Sequence, residues 1–465
     1  MQKIIKNHLE ILTEISKKSG TDLYLIGGTI RDHLSGKECS DFDFTAKNVQ
    51  ILANLFASAT QSPCIPLDAT PGRETLRVIV QKQFHFDFTD LQGNSIEEDL
   101  AQRDFSINAM AMRLKDFLDG KKTLIDPNRG REDLLKKIIR VLPGPIFSAD
   151  PLRMLRAFRF ASSLEFDIDA ETIRQIEIEK SNLKKTAQER IYYEWILFLS
   201  GERVFKLLSL MDRTGLLQCA FPETTELRQS LGTHASAWEI SLQTFNRLED
   251  LLSIPKTIIP STNHAGFLTG KNRALLKFSA LLHRLNPGFS DDISNTKVRI
   301  DEHAKTVRLL RRVKASNADI RFIYRTILCQ QEARESSLEI AGTTINESAL
   351  YRFTKKYDQE LMAGIFLACA VFSASENNAD TESFLQAMHR VVEFYFQRYL
   401  PAMDHKALIN GDDLIRHFKL TPSPLFRLIL DKVEEGRVLG TIKSKKQAEA
   451  IAQQIIETQK TEKET

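Results

Sequence analysis

A chain of 465 residues is too long for one simple hydrophobic core and implies several domains. Its 42% hydrophobic and 27% charged residues are ordinary for a globular protein, and no apolar run approaches the length of a membrane span. A formal net charge of +3 excludes nucleic-acid binding through a global excess of charge, so any such surface must come from local clustering.

Residues 1–18 are amphipathic and basic, but Glu10 and Glu14 interrupt the pattern expected of an organellar presequence and no small-residue cleavage site follows, so they read as a first helix. The cysteines, Cys39, Cys64, Cys219, Cys329 and Cys369, are scattered, odd in number and form no C-x-x-C pair. They are expected to be free thiols in a reducing, cytoplasmic setting.

Residues 23–45, LYLIGGTIRDHLSGKECSDFDFT, organise the rest. Leu23, Leu25 and Ile26 predict a buried strand, and Gly27-Gly28 at its end lets backbone approach a phosphate where a Cβ would clash. Residues 29–34 suit a helix start whose N–H groups face the same anion. On a following strand Asp41 and Asp43 leave one face together and can hold Mg²⁺, while Phe42 points to the core. Taken singly, D-x-D and Gly-Gly are mostly features of turns and loops. Their order carries the signal.

Apolar strand-like runs follow at residues 77–80, 84–88 and 123–125. In residues 96–112, IEEDLAQRDFSINAMAM, Arg103-Asp104 precedes a helical run carrying Asn108. After Pro143-Gly144-Pro145 nearly every segment has helical periodicity, which predicts an α+β chain: a small head with a β-sheet, then an all-helical remainder. Arg153, Arg156 and Arg159 recur every three residues and form a ridge on one side of a helix, with Asp150 on the same surface as Arg153. Breaks fall at residues 215–222, at Asn286-Pro287-Gly288, at Asn410-Gly411 and at residues 421–424, and residues 459–465 read as a frayed end.

Strand, Gly-Gly, helix start and Asp-x-Asp on the next strand resemble the layout of nucleotidyltransferases related to DNA polymerase beta. Together with Arg103-Asp104, residues 125–166, and ERIYYE with TGLLQCAFPE at residues 189–194 and 214–223, the chain resembles the tRNA nucleotidyltransferase and bacterial poly(A) polymerase family, in the family's order. The resemblance implies a nucleotidyltransferase head over residues 1–142, a helical neck with the base-selecting motif over 143–223, a body over 224–345 with a degenerate HD-like region, and a tRNA-binding tail over 346–465. It implies that Asp41 and Asp43 hold Mg²⁺ and supply catalysis, and that Gly27, Gly28 and Arg31 cradle phosphates. Arg103, Asp104 and Asn108 then hold triphosphate and ribose, with Arg156 a further triphosphate contact. Asp87, on the strand HFDF, is a candidate third carboxylate. Gln102 departs from the family's double arginine, and Ala149 stands where a glutamate is usual.

In the resembled family the Asp and Arg corresponding to Asp150 and Arg153 act as a protein template. A carboxylate accepts from the exocyclic amino group of cytosine or adenine and a guanidinium donates to ring acceptors, so uracil and guanine are mismatched. The segment at 189–194 is expected to buttress the neck. Traces of an HD-type phosphohydrolase pattern surround His234, Trp238 and Ile240, but Arg284 follows His283 where a metal-binding His-Asp pair needs Asp; His234, His264, His283 and His303 read as ordinary buried or surface histidines, so no second metal site is expected. In the tail, Lys443, Lys445 and Lys446 suit contact with RNA phosphates. The expected partner is tRNA, held at its 3′ end and along the acceptor and TΨC region, with CTP and, in some readings, ATP as substrate. Products within the family are CC, CCA, the terminal A or poly(A). The short segment at residues 89–95, TDLQGNS, resembles CC-adding members, whereas CCA-completing ones carry a longer loop there. An inactive RNA-binding homologue is the rival that retention of Asp41 and Asp43 opposes.

Overall fold

The computed structural model describes residues 3–68, 74–121, 123–229, 235–255, 258–259, 268, 270–285, 300–341, 346–375 and 378–464. The chain divides into two compact units, residues 1–222 and 223–465.

The first unit is built on a six-stranded mixed sheet of β1 (Tyr24–Ile26), β2 (Asp41–Ala46), β3 (Cys64–Asp68), β4 (Thr75–Val80), β5 (Phe84–Asp90) and β6 (Ala111–Arg113), in the order β3-β4-β5-β2-β1-β6. Only β2 and β5 run parallel, and their register sets Asp41 beside His85 and Asp43 beside Asp87. Side chains alternate along a strand, so one face of this pair is aromatic and the other carries the carboxylates. Phe42 stacks on Phe86 and Phe44 on Phe88, each at 5.2 Å between ring centroids. Phe56, from the Val49–Thr60 helix, closes the aromatic face at 5.0 Å from Phe86. Leu23, Leu25, Ile26 and Phe42 are buried as their pattern predicts.

Three local expectations are corrected. The helix after β1 begins at Gly27, not at Thr29, because Gly27 adopts a left-handed φ of +59° that turns the chain directly out of the strand. The run after Arg103-Asp104 is a single 3-10 turn, Ser106–Asn108, since the chain must enter the sheet as β6 three residues later. Gly130 also packs so tightly there that a Cβ would lie 2.1 Å from the Ser106 carbonyl oxygen. The strand expected at 123–125 is a one-residue bridge, Ile125 to Ala111, because β6 is too short to pair further.

From Gly130 the regular elements of the first unit are helical apart from a two-residue parallel pair, Ile138–Ile139 with Asp167–Ile168. The Leu152–Leu164 and Gln188–Leu199 helices pack through Phe158 and Phe198, and Trp195 packs on Phe221. Gly215, at φ +78°, separates the last two helices at the predicted break.

All regular structure described in the second unit is helical. The Leu361–Ser375 helix is buried along most of its length, which explains its apolar character on every side, and no described helix is long and apolar enough to cross a membrane. Near the C-terminus Leu414, Ile429, Ala448 and Ala452 form a small core of their own. Asn410 caps the Gly411–Phe418 helix and Pro424 opens the next, as their turn chemistry predicts. The end expected to fray is helical: the Lys445–Glu464 helix meets no breaking residue. The Asn286-Pro287-Gly288 turn lies outside the described residues.

Candidate active site

The glycine pair lets three charged side chains converge. A Cβ on Gly28 would lie 3.3 Å from Asp43 Oδ2 and 3.5 Å from Arg31 Nη2, and one on Gly27 would lie 3.5 Å from Arg103 Nη1 and 3.6 Å from Asp43 Oδ2. Thr29 then clamps β2 to the turn: its Oγ1 accepts from the Asp43 N–H at 2.7 Å and its hydroxyl donates to the Asp41 carbonyl at 3.4 Å. Burial first, and then the Asp87 carboxylate, push Asp43 up to about 6 against the pull of Arg103 and Arg31. Asp41, on the same face, has a side chain 64% exposed and shares a hydrogen bond of 2.7 Å with His85 Nδ1. Asp87 stands beside Asp43 as a third carboxylate, but both its oxygens are taken by Arg77, at 2.8 and 2.7 Å.

These donors suit a hard cation. Carboxylate oxygens on one strand face, one exposed and one buried with its ionisation disfavoured, gain from a divalent ion. Among the described residues no group of three His, Cys, Asp or Glu side chains could hold a metal ion. Asp41 and Asp43 therefore offer a partial set of ligands, the kind Mg²⁺ completes with substrate phosphates and water.

The Arg103-Asp104 segment adds the next layer. Arg103 donates to Asp99 Oδ2 at 3.1 and 2.9 Å, and Asp99 Oδ1 accepts from the Gln92 N–H at 2.9 Å. Asp104 is buried and accepts from Phe105 N, Asn108 Nδ2, and Arg156 Nε and Nη2 at 2.9, 3.1, 2.9 and 2.7 Å. Burial works to raise its carboxyl, but Arg156 and these hydrogen bonds outweigh it and hold Asp104 below the usual carboxylate range. Arg31 donates to Asn108 Oδ1 at 2.9 Å and pairs with Asp32. Gln102 contributes its carbonyl, which accepts from Arg153 Nη2 at 2.9 Å, and the Arg103 carbonyl accepts from Nη1 at 3.3 Å. Any residue at 102 supplies that contact, so the departure from a double arginine leaves it intact.

Asp150 precedes the Leu152–Leu164 helix. Its Oδ1 accepts from the Leu152 N–H at 3.2 Å and its Oδ2 from Arg190 Nη2 at 3.1 Å. Arg159 pairs with the buried Glu194 at 2.6 Å, and Arg156 approaches the same carboxylate at 3.7 Å. The structure thus gathers Gly27, Gly28, Arg31, Asp43, Arg103, Asp104, Asn108, Arg153 and Arg156 into one contact network, with Asp41 on its open face and Asp150 at its far end. Sequence reasoning missed Thr29, Arg77, His85, Asp99 and the contact of Arg190 with Asp150. His85 and Arg77 are set by sheet register, which local sequence does not display. Thr29 follows the glycine pair directly and was the one legible signal.

Elsewhere, His283 is buried with Nδ1 2.9 Å from the Ala280 carbonyl, and burial drops its pKa to about 4. His234 and His264 lie outside the described residues. In the lysine-rich tail Lys445 is paired with Asp413 at 2.7 Å, which reduces the charge available to a phosphate.

Comparison with known proteins bears on this arrangement. Residues 23–140 match the family described as "Poly A polymerase head domain", residues 165–227 "Probable RNA and SrmB- binding site of polymerase A", and residues 296–454 tRNA nucleotidyltransferase domain 2. The chain is 26% identical over 450 residues to the A-adding tRNA nucleotidyltransferase of Deinococcus radiodurans, covering 92% of this chain and 94% of that protein. It is 27% identical over 444 residues to the CC-adding tRNA nucleotidyltransferase of Synechocystis sp., covering 93% of each. The Thermotoga maritima CCA-adding enzyme complexed with tRNA shares the fold, with a TM-score of 0.64 at 21% identity, over 98% of this chain and 96% of that one.

Proposed function

The chain belongs to the class II tRNA nucleotidyltransferase and poly(A) polymerase family and is a nucleotidyltransferase of the CCA-adding type acting on tRNA 3′ ends; on that premise we propose that it adds C residues, as CC, from CTP without a nucleic-acid template. One observation carries the choice of CC. β5 runs on to Asp90 and the Ile96–Ala101 helix follows, so the connection is only residues 91–95. It is also tied down: the Leu91 N–H donates to the Ala46 carbonyl at 2.9 Å, Gln92 N–H to Asp99 at 2.9 Å and Asn94 N–H to Glu98 at 2.8 Å. A Cβ on Gly93 would meet Glu98 at 2.5 Å. So short and bonded a turn has little freedom to reshape a pocket for a second base.

In this reading the tRNA 3′ oxygen attacks the α-phosphorus of CTP, a new P–O bond forms and pyrophosphate leaves. Mg²⁺, held by Asp41 and Asp43, supplies Lewis-acid stabilisation of the hydroxyl and phosphate oxygens when bound. Arg31 and Arg103, beside the glycine turn, take the triphosphate with Arg156, and Asp104 with Asn108 orients the ribose. Asp150 accepts from the cytosine amino group and Arg153 donates to ring acceptors. Arg190 orients Asp150 where Ala149 leaves no glutamate to help. Arg77 keeps Asp87 as a supporting charge. The tail lysines Lys443 and Lys446 add phosphate contacts for the tRNA.

The test is incorporation of CTP and ATP, offered separately, on tRNAs ending at the discriminator base, at C and at CC. CTP is expected on the first two and no extension with ATP on the third. Efficient A addition to the CC end would reject CC specificity.

A further inference from the structure

Phe160 lies on the Leu152–Leu164 helix, nearly buried, and three guanidinium groups surround its ring. Arg159 stands 4.0 Å from the ring centroid, Arg156 5.2 Å and Arg31 5.7 Å. Phe105 meets the ring edge-on at 5.8 Å, which fixes its orientation. Two of these cations come from the ring's own helix. Arg31 comes from the Gly27–Leu34 helix, one turn past the glycine pair.

Three like charges around one side chain repel, and three carboxylates answer them from outside the ring. Glu194 is shared by Arg156 and Arg159, Asp104 is engaged by Arg156, and Asp32 pairs with Arg31. Burial, with Arg156 close by, holds the Arg159 guanidinium below its ordinary value, in keeping with this crowding. An aromatic face attracts cations through its quadrupole, and the attraction strengthens where water is excluded. An aliphatic side chain would fill the same space and supply none of it.

We propose that Phe160 is a positioning residue for nucleotide binding: its ring gathers Arg31 and Arg156, with Arg159 as anchor, into one cationic arc that joins the base-selecting helix to the phosphate-binding turn. This rests on the reading of Arg31 and Arg156 as triphosphate contacts. An arc held by the ring itself leaves the arginines little binding energy to spend on finding their places.

The test uses the full chain with Phe160 replaced by mono-, di- and trifluorinated phenylalanine, which weaken the ring quadrupole at nearly constant shape, and by leucine. CTP affinity, KM and kcat for C addition to a tRNA ending at the discriminator base, and thermal unfolding are measured on each, alongside Arg31→Ala. CTP affinity should weaken stepwise with fluorination, by about tenfold at the trifluoro variant and similarly in Phe160→Leu, with KM rising far more than kcat falls. The unfolding midpoint should stay constant across the fluorinated series, which a packing role alone also predicts, so the graded KM is the deciding readout. A flat series beside an Arg31→Ala variant that binds CTP weakly overturns the role of Phe160 and leaves the triphosphate reading standing. CTP affinity unchanged in Arg31→Ala as well overturns both.

Discussion

Glu194→Gln isolates a single buried charge. The Glu194 side chain is 5% exposed and that of its partner Arg159 18%, at 2.6 Å, with Arg156 Nη1 3.7 Å away. Glutamine keeps the shape and removes the charge, and Arg159 keeps its place over the Phe160 ring. Removing one partner of a buried pair costs about 3–5 kcal/mol, against about 0–1 kcal/mol for a surface pair. Because Arg159 retains some water and an aromatic face, the expected loss is at the lower end, about 3 kcal/mol. The protein's two tryptophans, Trp195 and Trp238, lie in different units, and Trp195 is buried against Phe198 and Phe221 close to Glu194 in the same helix. Urea unfolding of a Trp238→Phe background, followed by Trp195 fluorescence, therefore reads the first unit by itself. The midpoint should fall with little change in slope. The double variant Arg159→Met, Glu194→Leu should recover most of the loss, since Arg156 keeps both bonds to Asp104. A loss below about 1 kcal/mol, or a double variant as unstable as the sum of the singles, would refute the buried-pair reasoning.

In Gly28→Ala the new Cβ would press on Asp43 Oδ2 at 3.3 Å while the backbone stays ordinary, so kcat should fall by about tenfold to a hundredfold with a nearly unchanged unfolding midpoint, read by steady-state kinetics and calorimetry. Asp150→Asn turns an acceptor into a group that can also donate to uracil O4, so the ratio of kcat/KM for CTP over UTP should drop by about tenfold or more; Arg190→Ala should move it in the same direction by less. His283 has a folded pKa of about 4, below its unfolded value, so the unfolded state binds the extra proton. Stability of the second unit should therefore be independent of this group above about pH 6.5 and fall by roughly 3 kcal/mol as pH drops toward 4, a slope that unfolding of His283→Leu followed through Trp238 should lack.

The contrast between Asp41-Phe42-Asp43 and Arg77 shows which parts of the site were legible. Alternation along one strand is a local property, so the carboxylates' common face and the buried phenylalanine could be read directly. Arg77 and His85 reach Asp87 and Asp41 only through strand pairing, and local sequence carries no record of register. The same holds for the Ser106–Asn108 turn, where helical pattern yields to the nearby demand that Ala111 join β1. Asp150 lies outside the Leu152–Leu164 helix on extended backbone, so helix spacing does not set its place: its side chain turns to Leu152 N–H and Arg190, and that of Arg153 to the carbonyls of Gln102 and Arg103. Arg190, 40 residues from Asp150, belongs to a contact that only packing of two helices creates.

The sequence by itself determined the α+β division, the Asp41-Phe42-Asp43 strand and the set of charged groups, because periodicity, turn chemistry and motif order are written within a few residues. Tertiary structure alone decided how those charges are shared. It placed three arginines around Phe160, one glutamate under two of them and Asp87 in the grip of Arg77. The physical reason is that electrostatic interaction depends on distance and burial through space, and neither is a property of separation along the chain.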